Sequence, residues 1–261
     1  MPRYARIYAT FLRSSLQREL EFRANFIAKI LQNAVWIVFF VLILLVIYGN
    51  TKDVAGWNRG EAFMLGASMF LMSSLSQLLF SSLGEIPSQV RQGTLDFVLT
   101  KPVDSQYWIS LRRFNFDQIG SFFAGIGMMV YGVITAELAP GPAQWIAWSI
   151  MLVAALIIFY SFNLALMSTG IWFVRVDNLF ILSETVSEVA RYPLDIYSIF
   201  VQRVLIYGVP LGFLATLPTR QLVREFDPLH LGLSLVYALV AFIAARSFWR
   251  YALRSYSSAS S

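Results

Sequence analysis

The sequence contains no cysteine and a single histidine, His230. Without cysteine the chain can form neither a disulfide nor a thiolate metal site, and one histidine excludes a multi-histidine metal site. Charged residues are also scarce: they make up 13% of the 261 residues, whereas average soluble domains carry roughly 25%. Hydrophobic residues make up 57%, and the mean hydropathy is +0.63. This composition is typical of an integral membrane protein.

Signatures of nucleotide and hydrolytic chemistry are missing as well. The chain has no G-x-x-x-x-G-K-[ST], no H-E-x-x-H and no G-x-S-x-G. The net charge is +5, but the basic residues are dispersed rather than clustered on one polar domain, which argues against a nucleic-acid partner. We therefore expect no enzymatic activity, cofactor or metal in this chain. Energy for any transport must come from another chain or from an ion gradient.

Six apolar segments are long enough to cross a membrane. A hydrocarbon core of about 30 Å needs about 20 helical residues. The six segments are residues 27–48, 62–83, 119–136, 145–174, 198–217 and 229–248. The sequence thus predicts an all-α integral membrane fold with six transmembrane helices in one domain, 1–261.

The two termini are predicted from different signals. In residues 1–25, apolar side chains recur at helical spacing between arginines, which indicates an amphipathic helix lying in the membrane interface. The alternative is a cytoplasmic extension of the first span. These 25 residues and the long apolar run that follows them are unlike a cleaved signal peptide. The serine-rich stretch 255–261 is expected to be flexible.

The distribution of lysine and arginine predicts the orientation. With a cytoplasmic N-terminus and six alternating spans, 16 of the 20 basic residues lie inside. The four outside are Lys52, Arg59, Arg220 and Arg224. Because basic residues are enriched in cytoplasmic loops, both termini are expected in the cytoplasm.

A patterned polar stretch, residues 82–113, separates the second and third spans. Ile86 and Val90 are four residues apart, and Leu95, Val98 and Leu99 share a second face. We expect short amphipathic helices that break at Gly93 and stop at Pro102. Such helices would rest on the membrane surface or dock on a cytoplasmic partner.

Residues 175–198 allow two placements. Acidic residues interrupt their apolar runs, and Pro193 ends or kinks any helix there. We favour a cytoplasmic interfacial helix that folds back before the fifth span. The alternative is one broken helix whose acids, Glu184, Glu188 and Asp195, face a cavity, since acids within a membrane are usually functional.

Polar residues also occur inside predicted spans. Ser73, Ser76 and Gln77 lie in the second span, and Asn163 and Ser168 lie in the fourth. They are candidates for a polar path or for contacts between helices, and helix packing is the commoner role of such residues.

Two motifs resemble the permease subunits of ABC transporters of the ABC-2 type, in the bacterial branch with short outer loops. The first is Arg91-x-Gly93-x-Leu95-x-x-x-Leu99-x-x-Pro102, and the second is Arg191-Tyr192-Pro193-Leu194-Asp195. The resemblance implies an exporter in the bacterial inner membrane, built from two permeases, the same or related, and two cytoplasmic ATPase subunits that bind ATP and magnesium. It implies a lipid-like, glycan or amphipathic substrate.

The resemblance also assigns residues 84–102 to a cytoplasmic coupling helix that contacts the ATPase. The coupling residues carried over are Gly84, Glu85, Ile86, Val90, Arg91, Gly93, Leu95, Leu99 and Pro102. Arg191, Tyr192, Pro193 and Asp195 form an interfacial motif. Two other classes stay open: a stand-alone secondary transporter that uses Glu184, Glu188 and Asp195, and a membrane-embedded enzyme acting on lipids.

Overall fold

The computed structural model describes residues 2–173 and 179–256. For five of these only the backbone is described: Pro2, Phe180, Glu184, Val186 and Ser187. This part of the chain is almost entirely helical. Its α-helices are α1 Pro2–Glu21, α2 Arg23–Asn50, α3 Arg59–Phe80, α4 Ile86–Arg91, α5 Asp96–Leu99, α6 Ser105–Leu111, α7 Gln118–Thr135, α8 Pro142–Ser168, α9 Leu179–Val189, α10 Ile199–Arg203, α11 Thr216–Val223 and α12 Pro228–Arg254.

Strand structure in the described residues is limited to one small hairpin between α2 and α3. Strands β1 Asp53–Val54 and β2 Trp57–Asn58 pair antiparallel, with Asp53 opposite Asn58. Asn58 then caps α3 by accepting a hydrogen bond from the amide of Glu61, whose side chain accepts one from the amide of Asn58. This capping box fixes the point at which α3 begins.

Five helices in the described residues are long and apolar enough to cross a membrane: α2, α3, α7, α8 and α12. Helix α3 lies at the centre, and its side chains are the most buried of the five. It packs closely on α7 because both carry glycine where they meet. A Cβ atom on Gly132 would lie 2.7 Å from the carbonyl oxygen of Gly60.

Residues 198–217 do not form the single spanning helix expected from their hydropathy. Helix α10 continues into a π-helical turn, Val204–Gly208, and the helix stops at Val209 and Pro210. A 3-10 turn, Leu211–Phe213, and α11 follow. Proline has no N–H to donate and its ring clashes with the preceding turn, so a helix cannot run through Pro210 unbroken.

The described residues after α8 and those before residue 198 lie at different ends of the bundle. The 3-10 turn Thr169–Ile171 follows α8 and packs against α4, at one end of the bundle. A Cβ atom on Gly170 would lie 3.0 Å from Pro87 of α4. Asp195 contacts Trp57 at the opposite end. Gly170 and Asp195 therefore lie at opposite ends of the bundle. The cytoplasmic placement expected for 175–198 is wrong for residues 191–197, because they lie beside the hairpin, which belongs to the predicted outer loop. Residues 174–178 and the side chain of Glu184 lie outside the described residues.

Helix α1 packs along the segment before α7. The Tyr107 hydroxyl donates to the carbonyl oxygen of Tyr4 at 2.9 Å, and the backbone amide of Phe114 donates to Ser15 Oγ at 3.1 Å. A break at Phe22 separates α1 from α2. The position of α1 in the membrane interface stays a prediction. Of the predicted flexible tail, residues 257–261 lie outside the described residues.

Candidate functional site

The polar stretch 82–113 folds into three short helices, α4, α5 and α6, after a 3-10 turn, Ser81–Glu85. Gly93 follows α4 with a φ of +68°, and its amide donates to the carbonyl oxygen of Val90 at 3.2 Å. This left-handed conformation favours glycine and ends the helix. Asp104 then begins α6 by accepting from the amide of Tyr107 at 3.0 Å. The breaks lie at Gly93 and around Pro102, as the sequence predicts.

One side of this stretch is anchored in the bundle. Ile86, Leu95 and Val98 are buried in an apolar cluster that also contains Leu164 of α8 and Trp249 of α12. Burying such side chains stabilises a contact by roughly 1.5–3 kcal/mol each. The stretch is therefore held firmly against the ends of two long helices.

The other side of the same stretch is exposed. Phe97 is 70% exposed and Leu99 is 37% exposed. Arg91 and Lys101 are exposed beside them. We call these four residues the α4–α5 surface. The exposed pair Phe97 and Leu99, rimmed by positive charge, makes this surface a candidate for a protein contact.

The predicted coupling residues divide between these two sides. The structure buries Ile86 and Leu95, half-buries Val90 and Gly93, and exposes Gly84, Arg91, Leu99 and Pro102. Sequence reasoning missed Phe97, although its place between the buried Leu95 and Val98 is a usable signal.

Glu85 has a structural task. Its carboxylate accepts hydrogen bonds from Arg112 and Arg113, the latter at 2.5 Å. Arg112 and Arg113 follow directly after α6. Glu85 therefore ties the start of the stretch to its end and is only half-exposed to a partner.

Three of the five polar residues predicted inside the spans lie close together, and the other two do not. Ser76, Gln77 and Asn163 line one small cavity of about 20 Å³ between α3 and α8, which holds about one water molecule. Asn163 also accepts a hydrogen bond from Ser183 of α9 at 2.6 Å.

The remaining two bond within their own helices. The Ser73 hydroxyl donates to the Phe70 carbonyl oxygen and the Ser168 hydroxyl to that of Leu164. These contacts favour helix packing over a continuous polar path.

Asp195 belongs to a polar cluster at the opposite end of the bundle. It accepts hydrogen bonds from Trp57 Nε1 at 2.8 Å and from the Arg220 guanidinium at 2.5 Å. Arg224 donates to Glu61 at 2.6 Å and to the Gly56 carbonyl oxygen at 2.8 Å. We call this cluster the hairpin clamp, because it joins α11 and the 194–196 turn to the hairpin. Burial alone would raise the pKa of Asp195, but the bonds from Arg220 and Trp57 outweigh it and lower that pKa.

The rest of the predicted interfacial motif surrounds the clamp. The Arg191 guanidinium lies 6.0 Å from the centre of the Phe40 ring, Tyr192 is 43% exposed, and Pro193 precedes the 3-10 turn Leu194–Ile196. Glu188 is exposed on α9 and does not line the cleft that contains Asp195. Within the described side chains, the acids proposed for secondary transport are not brought together.

Helices α9 and α10 each carry exposed apolar residues among their described side chains. No residue of α10 is buried. Ile199 is 68% exposed and Phe200 is 76% exposed, and Ile181 of α9 is 60% exposed. Arg203 is exposed on the same short helix. We call this the α9–α10 surface.

The family model described as ABC-2 family transporter protein matches residues 34–260. The chain belongs to the ABC-2 transporter family. This ABC-2 protein is thus a multi-pass membrane protein with the role of a transporter permease, which agrees with its five long apolar helices. The family implies an ABC transporter system, which usually includes an ATPase partner. No curated protein matches the chain.

Proposed function

We propose that this permease forms the transmembrane part of an ATP-driven exporter and that the α4–α5 surface contacts the ATPase. One observation carries the proposal: the same stretch is anchored through Leu95 and Val98 and exposes Phe97 and Leu99. An anchored element with an exposed apolar tip can bind a partner and pass its movement on. The family supports this assignment because ABC permeases usually work with an ATPase.

The anchoring suggests how movement reaches the spans. Ile86, Leu95 and Val98 pack in one cluster with residues near the ends of α8 and α12. Because packed interiors resist compression, a push on Phe97 moves these helix ends rather than deforming the contact. ATP binding in the partner would then favour one arrangement of the spans over the other.

ATP chemistry belongs to the partner in this proposal. The chain contains no P-loop sequence. We assign ATP and magnesium binding, and hydrolysis, to a separate cytoplasmic subunit. The permease itself uses no catalytic residue and no cofactor.

A second permease, the same or a related chain, would cover the α9–α10 surface. The exposed Ile199 and Phe200 and the interruption at Pro210 support this choice, because broken backbone at membrane depth is tolerated only where protein or water covers it. We place the assembly in the bacterial inner membrane with both termini cytoplasmic, since most of the 20 basic residues fall inside in the predicted topology even when Arg191 is counted at the hairpin end. The substrate class proposed is lipid-like, glycan or amphipathic.

The experiment compares two exposed phenylalanines. Tagged wild-type protein, Phe97→Ala and Phe123→Ala are purified from native membranes in mild detergent, and the proteins that co-purify are identified and quantified. Phe123 is 65% exposed on α7, so it matches Phe97 in exposure but not in position.

We expect the wild type and Phe123→Ala to retain a protein with a P-loop and measurable ATPase activity. We expect Phe97→Ala to lose about 90% or more of it, since an aromatic hot spot contributes about 2 kcal/mol or more. Equal retention by the two variants would exclude Phe97 from the contact. A wild-type protein without any ATPase under several detergents would contradict the proposal as a whole.

A further inference from the structure

Two adjoining cavities open on the side of the bundle between α8 and α12. The first, of about 580 Å³, is almost wholly apolar and is lined by residues such as Val153, Leu235 and Leu239. The second, of about 490 Å³, lies nearer the α4–α5 end and contains Asp104 and Arg246. Both are lined by Ile157 and Phe242, so the two cavities adjoin, and we call them together the α8–α12 groove, with an apolar part and a polar end.

The polar end is built from buried and half-buried groups. Arg246 donates to Asp104 at 2.9 Å and to Gln106 Oε1 at 2.8 Å. Gln106 and Ser110 in turn contact the Tyr160 hydroxyl, at 3.0 and 2.8 Å. Gln106 is only 4% exposed, so this network is a fixed part of the protein.

Arg246 retains donor capacity for a ligand. A guanidinium has five N–H donors, and the hydrogen bonds described for Arg246 use two of its nitrogens. Its side chain is 33% exposed into the groove. Arg250 follows one helical turn later and is exposed, which adds positive charge at the same end. Guanidinium groups bind phosphate oxygens in a planar, bidentate manner.

The length of the groove matches one membrane leaflet. From Leu235 to Arg246, α12 advances about 16 Å at roughly 1.5 Å per residue. Half of a hydrocarbon core of about 30 Å is about 15 Å. The groove thus extends from the middle of the bundle to the end that carries the α4–α5 surface, and its only charged lining lies at that end within the described residues.

We propose that this groove binds one phospholipid of the leaflet nearest to the α4–α5 surface. An acyl chain lies between α8 and α12 against Val153 and Leu239, and the phosphate accepts hydrogen bonds from Arg246. The Tyr107 ring forms part of the wall beside the headgroup, and its hydroxyl is already bonded to α1. This site depends on the membrane placement of the bundle and not on ATP coupling.

The test measures lipid retention in matched variants. Leu239→Trp fills the apolar part of the groove, whereas Val240→Trp introduces the same side chain one residue away, outside the groove lining. The two positions are 62% and 59% exposed. Arg246→Gln removes the phosphate contact. Each purified protein is incubated with phosphatidylglycerol, phosphatidylethanolamine or diacylglycerol, and bound lipid is counted by native mass spectrometry.

We expect one phospholipid per wild-type chain and per Val240→Trp chain, with at least fivefold less on Leu239→Trp and Arg246→Gln. Diacylglycerol, which has no phosphate, should be retained equally by the wild type and Arg246→Gln. Similar binding of both phospholipids would identify the phosphate as the recognised group, and a preference for phosphatidylglycerol would add Arg250 to the site.

Equal phospholipid retention by Leu239→Trp and Val240→Trp would overturn the site. Loss in Leu239→Trp without loss in Arg246→Gln would overturn the phosphate contact. Melting temperature and elution volume are recorded for each variant to check that it folds. If Arg246→Gln fails to fold, Leu239→Trp still tests the site, because it leaves the ion pair between Arg246 and Asp104 intact. ATPase retention is measured in parallel and should be unchanged in Leu239→Trp, so failure of this site is distinguishable from failure of the proposed function.

Discussion

The two ends of the bundle are organised in opposite ways. At the hairpin end, Arg220 of α11 binds Asp195, and Arg224, the residue after α11, binds Glu61, so the polar groups satisfy one another. At the α4–α5 end, apolar residues such as Leu95 form the anchor, and Phe97 remains exposed. The hairpin end is thus held by charged hydrogen bonds, whereas the α4–α5 end exposes the surface that we propose for the ATPase contact.

This difference teaches where each kind of contact is useful. Charged hydrogen bonds are directional, so they hold the hairpin and α11 in one register. Apolar burial is not directional but is closely packed, so the α4–α5 stretch and the helix ends that it packs on would move together with a partner. We expect the clamp to define geometry and the α4–α5 end to transmit movement.

The largest expected effect comes from removing the apolar anchor. Leu95→Ala deletes a fully buried side chain, and we expect the free energy of unfolding to fall by about 3 kcal/mol. Thermal unfolding in detergent measures this change. Leu99→Ala is the control, because Leu99 is 37% exposed in the same short helix region. A similar loss in both variants would contradict the distinction between anchor and surface.

The next prediction concerns the close approach of α3 and α7 near the hairpin. Gly132→Leu places side-chain atoms against the backbone of Gly60, and we expect about 2 kcal/mol of destabilisation from overpacking. Gly127→Leu lies on the same helix with open space around it and should be tolerated. Melting temperatures of the two variants give the comparison directly, and tolerance of Gly132→Leu would show that α7 can shift without loss.

A third prediction tests the hairpin clamp and its pH dependence. Asp195→Asn removes the charge that Arg220 and Trp57 bind, and we expect a loss of about 1.5 kcal/mol at neutral pH. Because the pKa of Asp195 is lowered in the folded state, this stabilisation is present above its ordinary pKa and is lost as the pH falls through the lowered one.

The measurement is the difference in melting temperature between wild type and Asp195→Asn across pH. It should stay constant through the neutral range and shrink only in acid. A difference that disappeared near neutral pH would argue against the ion pair as its cause.

The smallest expected effect is at Lys101. Its ammonium lies 4.3 Å from the centre of the Trp108 ring, and Lys101→Gln should lower stability by about 0.5 kcal/mol. Lys52→Gln, at the hairpin end, serves as the control and should change little. If ATPase retention falls far more than stability in Lys101→Gln, the residue contributes to the partner contact rather than to the anchor.

The sequence predicts features that depend on local chemistry. Long apolar runs predict α2, α7 and α12, because span length follows from membrane thickness. Gly93 and Pro102 predict the breaks in the polar stretch, because their backbone limits act locally. Both kinds of prediction need only the residues of one segment.

Features that depend on distant partners were not predictable in this way. Hydropathy cannot distinguish the apolar run before Asp195 from the run after it, so the sequence predicts the broken segment 198–217 as a span. The bond from Arg220 to Asp195 joins residues 25 apart in sequence. Leu99 shares the predicted face of Leu95 and yet is partly exposed, because the ends of α8 and α12 cover only part of that face.

The interruption at Pro210 affects how stable a single chain is in the bilayer. The Tyr237 hydroxyl donates a hydrogen bond to the carbonyl oxygen of Tyr207, which lies just before the interruption. Tyr237 lies about 14 Å from the start of α12, at roughly 1.5 Å per residue. A solitary chain in lipid bears the desolvation penalty of any remaining unpaired backbone group, and an assembled one does not. In the assembly that we propose, the bilayer would thereby distinguish single chains from complete complexes, and we expect membrane quality-control proteases to remove the single chains first.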